Sequence, residues 1–255
     1  PRLASPAAVV LDAATGDEIF ARRADEVRPI ASLTKIFVAM VLRRHRVDLE
    51  RWTEIDFDDA SASAGGTHTL LLEGQTFQNR DLLYAMLLSS DNRVPSALAR
   101  SVGLSGGELI AELGRVAGDL GLSHTRFDDA TGIHGNASTA RELALALREI
   151  LRDRLLTRIM TTRHAHVVSR SGDITARYTS TVRPLWDRRY KILGGKTGHT
   201  EGAGYCLLIA AEAAGRPVVM ALLGGKTPDA RFDDFAALMA WLDGRGTAVG
   251  SAAPR

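Results

Sequence analysis

A serine and a lysine near the start of the chain have the types and the spacing needed for nucleophilic catalysis. Ser32 and Lys35 occur as Ser-Leu-Thr-Lys in a segment with no helix breaker. Residues three apart on a helix lie on one face, so the Lys35 amine is predicted beside the Ser32 hydroxyl. An uncharged lysine can remove the proton of that hydroxyl and activate it. Because lysine ordinarily titrates near ~10.4, burial or a second cation must lower the pKa of Lys35.

Two further segments supply groups that such a nucleophile needs. The segment Lys196-Thr197-Gly198 comes at the end of a predicted strand, and its lysine is the second cation. Its glycine leaves room for a substrate backbone along the edge of that strand. In Ser90-Asp91-Asn92, Ser90 can bridge the two lysines and relay a proton to a leaving amine, and Asn92 can hold a substrate carbonyl.

Hydrophobic patterns predict the elements that must position these motifs. Apolar runs bounded by turn residues predict strands over 7–12, 18–21, 190–194, 204–210 and 217–223. Apolar residues at helical spacing predict helices over 32–45, 81–88, 94–102, 107–120, 139–151 and 229–242. Ser138-Thr139 can cap the fifth of these helices, and Pro95 fits the first turn of the third.

The order of these elements predicts a mixed α/β fold. One antiparallel sheet would be built from both ends of the chain and flanked by helices, with a separate helical lobe. Residues 1–243 would form a single domain, with a sheet lobe over about 1–31 and 163–243 and a helical lobe over about 32–162. The Gly/Ala-rich residues 244–255 are predicted to be a flexible tail.

The three motifs are weak alone, and their combination is specific. A serine and a lysine on one helix face are usually just solvated. The ordered set Ser-x-x-Lys, Ser-x-Asn and Lys-Thr-Gly is that of penicillin-binding proteins and class A β-lactamases. From about residue 7 to 243, the sequence resembles the low-molecular-mass penicillin-binding proteins, the serine D-Ala-D-Ala peptidases. Beyond the three motifs, the segments that carry this resemblance are Val10-Leu11-Asp12, Ile30-Ala31, Leu87-Leu88-Ser89, Asp129-Ala130-Thr131-Gly132-Ile133, Ser138-Thr139-Ala140-Arg141, His199-Thr200 and Asp229-Ala230-Arg231.

The resemblance implies a β-lactamase/transpeptidase-like fold and a catalytic role for five matched residues. Ser32 would be the nucleophile that forms an acyl-enzyme, and Lys35 would be the general base. Ser90 and Asn92 would complete the proton relay and the grip on the substrate, and Lys196 would tune the electrostatics.

The same resemblance implies how the substrate is held. The backbone N–H groups of Ser32 and His199 would form the oxyanion hole. The substrate-binding positions would be Thr197, Gly198, Thr200 and Arg231. Of these, the two threonines and the arginine would bind the carboxylate of the leaving D-residue, for which an arginine offers forked donors.

Three alternatives to a cross-link-cutting D,D-endopeptidase remain. A class A-like β-lactamase would need a Glu-x-x-Leu-Asn loop, and residues 125–132 contain no such glutamate. A catalytically silent penicillin sensor would be acylated without turning over a peptide. A D,D-carboxypeptidase would remove terminal D-alanine, but many of these enzymes carry a further β-rich domain and an amphipathic anchor that this sequence lacks.

The resemblance also implies the partners and the compartment. Peptidoglycan stem peptides would be the substrates, with cross-links between diaminopimelate and D-alanine as the bonds cut. β-Lactam antibiotics would acylate Ser32. The protein would work in the periplasm or otherwise outside the cytoplasm, with Pro1 beginning a mature or trimmed chain, because no signal peptide is visible.

Composition argues against nucleic-acid and membrane-spanning roles. Lys plus Arg number 32 and Asp plus Glu 30, which leaves a formal net charge of only +2. No apolar run approaches the ~20 residues that span a bilayer. No cofactor or metal is predicted, because His164 and His166 have no nearby cysteine or third histidine. Cys206, the single cysteine, lies in an apolar run and is expected to be a buried thiol.

Overall fold

The computed structural model describes residues 1–250 apart from residues 65, 67 and 68, with side chains described as far as residue 244. The strands are β1 (Ala7–Asp12), β2 (Glu18–Arg22), β3 (Arg28–Pro29), β4 (Trp52–Glu54), β5 (Thr76–Gln78), β6 (Ala137–Ser138), β7 (His164–Val168), β8 (Thr175–Thr179), β9 (Ile192–Thr200), β10 (Gly204–Ala213) and β11 (Arg216–Gly225). The α-helices are α1 (Lys35–Arg44), α2 (Phe57–Ala62), α3 (Asn79–Ser89), α4 (Val94–Ser101), α5 (Gly106–Asp119), α6 (Ala140–Ile150), α7 (Arg154–Met160) and α8 (Ala230–Gly250).

A five-stranded antiparallel sheet joins the two ends of the chain. Its order is β2-β1-β11-β10-β9, so the first strand of the sequence pairs with the last. Within the described part of the chain, β9 pairs with β10 alone, and its other edge lies against the segment that carries Ser32. The predicted sheet from both chain ends is confirmed.

Alternating side chains of the central strands form two apolar cores, one on each face of the sheet. On β1, the side chains of Ala7, Val9 and Leu11 enter the core shared with the helical part of the chain. Those of Ala8 and Val10 enter a second core under α8. Every residue from 7 to 11 is buried, which explains why this run is apolar throughout and does not alternate with polar residues.

Helix α1 is the centre of the helical part, since every side chain from Lys35 to Leu42 is buried. It packs against α3, α4, α5 and α6. Two of the surrounding helices begin with side-chain caps. Ser105 and Glu108 form a reciprocal capping box at α5, and the Thr139 hydroxyl accepts the Glu142 N–H at α6, as predicted for that cap.

Two elements on the sheet side extend well beyond their predicted ends. Strand β9 covers 192–200 and not 190–194, so Lys196-Thr197-Gly198 lies inside the strand and not at its end. Gly194 and Gly195 both continue the ladder with β10, so the strand does not end at the predicted residue 194. Helix α8 continues to Gly250, past the predicted end at 242. The rest of the predicted tail, residues 251–255, lies outside the described residues, and the division into lobes stays a prediction.

Candidate active site

Ser32 lies in a 3₁₀ helix, Ala31–Thr34, and not in the α-helix predicted to begin there, which starts at Lys35. The backbone enters this turn through Ala31 at φ +49°, a left-handed conformation that is unusual for a residue with a side chain. The Thr34 hydroxyl donates to the Ala31 carbonyl at 2.8 Å and fixes the turn. Gly132 packs so closely on this turn that a Cβ there would come within 2.0 Å of the same carbonyl oxygen.

Lys35 is fully buried, and its amine lies 3.2 Å from Ser32 Oγ. The same amine donates to Asn92 Oδ1 and to the Thr131 carbonyl, both at 2.6 Å. A neutral amine has two N–H bonds and one lone pair. Because two carbonyl oxygens accept its hydrogens, the lone pair is left to accept the proton of the Ser32 hydroxyl.

Burial lowers the pKa of Lys35 to about 7, against the opposing charges of Asp129 and Asp91. Removing water disfavours the ammonium form, and this effect exceeds the pull of the two carboxylates. The amine is therefore substantially neutral near neutral pH. A lysine must be in this neutral form to act as a general base.

On the other side of the site, Lys196 contacts Ser90. Ser90 ends α3 in a left-handed conformation, φ +62°, which turns its side chain out of the helix. The Lys196 amine donates to Ser90 Oγ, and to the Thr197 carbonyl at 3.0 Å. Burial lowers the pKa of Lys196, and the positive charges of Lys35 and Arg231 lower it further. The structure thus brings the two predicted lysines and two predicted serines into one cluster, in which only Ser32 is partly exposed.

A buried carboxylate holds the turn that carries Ser90 and Asn92. Asp91 Oδ2 accepts from Thr69 Oγ1 at 2.6 Å and from the Tyr178 hydroxyl at 2.7 Å. Its Oδ1 accepts the Arg93 N–H at 3.0 Å. Burial, and then the charge of Asp91, raise the pKa of Tyr178 above its ordinary value, so Tyr178 remains a hydrogen-bond donor.

Strand β9 brings the substrate-binding candidates next to the nucleophile. A Cβ on Gly198 would lie 3.0 Å from the Ile30 carbonyl oxygen and 3.2 Å from the Ser32 nitrogen. The backbone of His199 follows directly, and the His199 ring stacks on Tyr205 with centroids 4.0 Å apart. The first N–H groups of a helix have no partner inside the helix, so Ser32 N–H is suited to an oxyanion. The oxyanion role of Ser32 and His199 stays a prediction.

The three residues predicted to bind the leaving carboxylate have different surroundings. Thr197 Oγ1 lies 2.5 Å from the hydroxyl oxygen of Thr181, a partner that sequence reasoning did not find. The Thr200 hydroxyl accepts the Ala203 N–H at 3.1 Å in the turn after β9. Arg231 Nη1 donates to the carbonyls of Gly198 and Cys206 and so braces β9 against β10. Their contact with a substrate carboxylate stays a prediction.

The carboxylate of Asp129, in the loop after α5, is occupied by its own loop. It accepts hydrogen bonds from the Thr131 hydroxyl and from the backbone N–H groups of Gly132, Ile133 and His134. The Asn136 amide also donates to it at 2.9 Å. These bonds hold the loop under Ser32. They leave this carboxylate poorly suited to activate a water molecule.

A cavity of about 800 Å³ opens at Ser32. Asn92 and Ile133 line it near the nucleophile, and the turn from His199 to Gly202 lines one side. The other side is formed by residues of β3, β6 and the adjoining loop, namely Val27, Arg28, Pro29, Arg126, Gly135, Asn136 and Ala137. The cluster therefore opens into a space large enough for part of a peptide.

The remaining candidates from the sequence, two histidines and one cysteine, have surroundings that indicate structural roles. His164 and His166 neighbour each other with ring centroids 6.4 Å apart. In the described part of the chain, no three His, Cys, Asp or Glu residues are arranged to hold a metal ion. Cys206 is buried, and burial raises the pKa of its thiol to about 11. No described helix combines the length and the apolar character that a bilayer crossing needs.

A family model described as D-alanyl-D-alanine carboxypeptidase matches residues 1–227. The chain belongs to this family. This membership confirms the predicted resemblance to serine D-Ala-D-Ala peptidases, and it identifies the chain as a peptidase of this class.

Relatives and solved structures agree with the family assignment. A D-alanyl-D-alanine endopeptidase of Pseudomonas aeruginosa is 31% identical, with 98% of this chain and 81% of that protein covered. A D-alanyl-D-alanine endopeptidase of Escherichia coli is 29% identical, with 95% and 78% covered. The Streptomyces K15 DD-transpeptidase structure superposes with a TM-score of 0.88 at 27% identity, with 97% of this chain and 98% of that one covered. The predicted transpeptidase-like fold is thus confirmed.

Proposed function

We propose that this family member is a peptidoglycan D,D-endopeptidase that forms an acyl-enzyme at Ser32. The observation that carries the proposal is the buried Lys35 amine, 3.2 Å from Ser32 Oγ and with a pKa of about 7. The two endopeptidase relatives, each aligned over at least 95% of this chain, support the choice of cross-links over terminal D-alanine.

The proposed reaction uses the described groups in sequence. Lys35 Nζ accepts the Ser32 proton as Oγ attacks the carbonyl carbon of the D-alanyl bond. The backbone N–H groups at Ser32 and His199 stabilise the oxyanion. As the C–N bond breaks, Ser90, which contacts Lys196, passes a proton to the leaving amine and regains one from the Lys35 ammonium, which becomes a neutral amine again. Water then hydrolyses the ester, which releases the peptide acid and restores the Ser32 hydroxyl.

The same geometry supports slow hydrolysis of a penicilloyl ester. A β-lactam would acylate Ser32 through the opening of its ring, and no amine would leave the site. The carboxylate of Asp129 already accepts hydrogen bonds from its own loop, so it is poorly suited to deliver water. We therefore propose that the chain is a penicillin target and not a β-lactamase. Its family membership supports action outside the cytoplasm, in the periplasm where an outer membrane is present.

Digestion of intact peptidoglycan tests the proposal. The purified protein should convert cross-linked muropeptide dimers into monomers, and Ser32→Ala should abolish both this conversion and covalent labelling by fluorescent penicillin. Products are separated by chromatography and identified by mass spectrometry. Loss of terminal D-alanine from pentapeptides with dimers unchanged would instead establish a carboxypeptidase, and labelling without any peptide product would establish a sensor.

A further inference from the structure

The hydroxyl group of Thr197 has a partner to which the proposed reaction gives no role. Thr197 is buried, and its Oγ1 lies 2.5 Å from Oγ1 of Thr181. Within the described part of the chain, Thr181 is the one hydrogen-bond partner of the Thr197 hydroxyl. Thr181 itself is exposed, so this pair of hydroxyls extends from the buried strand β9 to the surface beside it.

Two contacts fix the backbone that carries Thr181. The Thr181 N–H donates to the Leu88 carbonyl of α3 at 3.1 Å. The next residue, Val182, is buried against β9, where a Cβ on Gly195 would lie 3.1 Å from one of its methyl carbons. The position of Thr181 is therefore set by β9 and by the last turn of α3, two residues before Ser90.

The number of hydroxyl hydrogens limits how the two threonines can bond. Each hydroxyl donates once and can accept twice. In one arrangement Thr197 donates to Thr181, and Thr181 donates to the Leu88 carbonyl at 3.3 Å. Thr197 then offers a ligand only its lone pairs. In the other arrangement Thr181 donates to Thr197, and the hydrogen of Thr197 is left for a ligand.

A carboxylate beside Thr197 favours the second arrangement. An ionised carboxylate can only accept hydrogen bonds, so the first arrangement would set lone pairs against it. The second arrangement gives up the long contact with Leu88 and gains a charge-assisted hydrogen bond. Because a hydroxyl that accepts one hydrogen bond donates another more strongly, Thr181 also strengthens the bond between Thr197 and the carboxylate.

We propose that Thr181 is a positioning residue for the substrate carboxylate, because it donates to Thr197 and so directs the Thr197 hydrogen to that carboxylate. This inference rests on the proposed peptidase function and on the predicted carboxylate role of Thr197. It predicts that the Thr181 hydroxyl matters for ligands with a free carboxylate and not for ligands in which this carboxylate is esterified.

Acylation of Ser32 by benzylpenicillin and by its methyl ester tests this role, since the two compounds differ only at the carboxylate. Mass spectrometry of the intact protein measures both rates. Thr181→Val removes the hydroxyl and keeps the shape of the side chain. It should slow acylation by the acid about fivefold, the factor that corresponds to one neutral hydrogen bond, and leave the ester unchanged. Thr181→Ser, which keeps a hydroxyl, should behave as the wild type.

A double-variant cycle shows whether Thr181 acts through Thr197. In a Thr197→Val background, Thr181→Val should cause no further loss with benzylpenicillin, because the hydroxyl that it positions is already gone. Thr179→Val is the matched control. Thr179 is exposed two residues earlier, and its hydroxyl forms no hydrogen bond within the described residues, so neither rate should change.

Four results would overturn the proposal. They are no slowing of the acid in Thr181→Val, equal slowing of acid and ester in that variant, an undiminished effect in the Thr197→Val background, and equal rates of acid and ester with the wild type. Failure of the wild-type protein to cut any peptidoglycan, together with the expected penicillin rates, would overturn the proposed function and leave the role of Thr181 in place.

Discussion

At the scale of single residues, the decisive property is the protonation state of Lys35. Its amine has no solvent exposure, and burial outweighs two carboxylates in setting its pKa. The two carbonyl oxygens at 2.6 Å also fix the direction of the amine toward Ser32. Lysine is usually a surface cation. Because the Lys35 amine is buried and is oriented toward Ser32, it can act as a base.

Acylation of Ser32 by penicillin should become faster as pH rises through about 7, the pKa of Lys35, and then level off. Below this pH the amine is an ammonium and cannot accept the hydroxyl proton, and above it the neutral form predominates. Stopped-flow measurement of the acylation rate on both sides of neutrality checks this. A rate that is flat through this range, or that falls with rising pH, would contradict Lys35 as the base.

At the scale of elements, the site depends on β9 lying very close to the 3₁₀ turn of Ser32. Gly198 is the contact point, since even one added carbon would press on the Ile30 carbonyl and the Ser32 nitrogen. Arg231 holds the strand from behind through the Gly198 and Cys206 carbonyls. Nucleophile and strand edge are therefore positioned as one unit.

Gly198→Ala should slow acylation roughly tenfold or more, because the new Cβ must displace the turn by a few tenths of an ångström. Gly194→Ala on the same strand is the matched control, since its Cβ would meet nothing closer than 3.7 Å. Penicillin labelling rates of the two variants, at equal circular dichroism, make the comparison. Equal rates would show that the close approach at 198 is unimportant.

The cluster of two serines and two lysines could be predicted from the sequence because its residues lie in short motifs. Ser32 and Lys35 are three apart, and the order of the three motifs is specific. Tyr178, Thr69 and Thr181 could not be found in this way. Each is a lone residue whose partner lies between 16 and 87 positions away, so no local spacing marks it.

Helices and strands could be predicted where the segment itself has a strong hydrophobic pattern. They could not be predicted where contacts with other parts of the chain determine the backbone conformation. Strands of five or more apolar residues were located, while the two-residue strands β3 and β6 exist only through their mutual pairing. Helix α7 was missed, although Asp153 caps it through two backbone N–H groups. The early start of α1 was wrong because Ala31 adopts a left-handed conformation that the packing of Gly132 accommodates.

At the scale of the whole molecule, the start of the chain is tied to its final helix. Asp234 of α8 accepts the backbone N–H groups of Ala4 and Ser5 at 2.8 and 2.7 Å. Asp234 is buried, and its bond to Ser5 is shielded from water while its bond to Ala4 is partly shielded. They lie at the second core, under the face of the sheet away from Ser32.

Asp234→Ala should lower the free energy of unfolding by about 1–3 kcal/mol, because two N–H groups lose their acceptor. The acylation rate should not change, since the contact lies far from the nucleophile. Urea unfolding gives the first quantity and penicillin labelling the second. Asp233→Ala is the control, because that exposed side chain forms no hydrogen bond or ion pair within the described residues. A loss of stability as large in the control would show that helix charge, and not this contact, is responsible.

The pairing of β1 with β11 has a consequence for how the molecule is made. Strand β9 is held by β10, β10 by β11, and β11 by a strand that was synthesised more than 200 residues earlier. A growing chain therefore carries Ser32 and Lys35 long before the edge beside them can exist. The complete sheet that holds β9 beside the nucleophile needs residues up to 225, so we expect full reactivity of Ser32 only in a chain that includes β11.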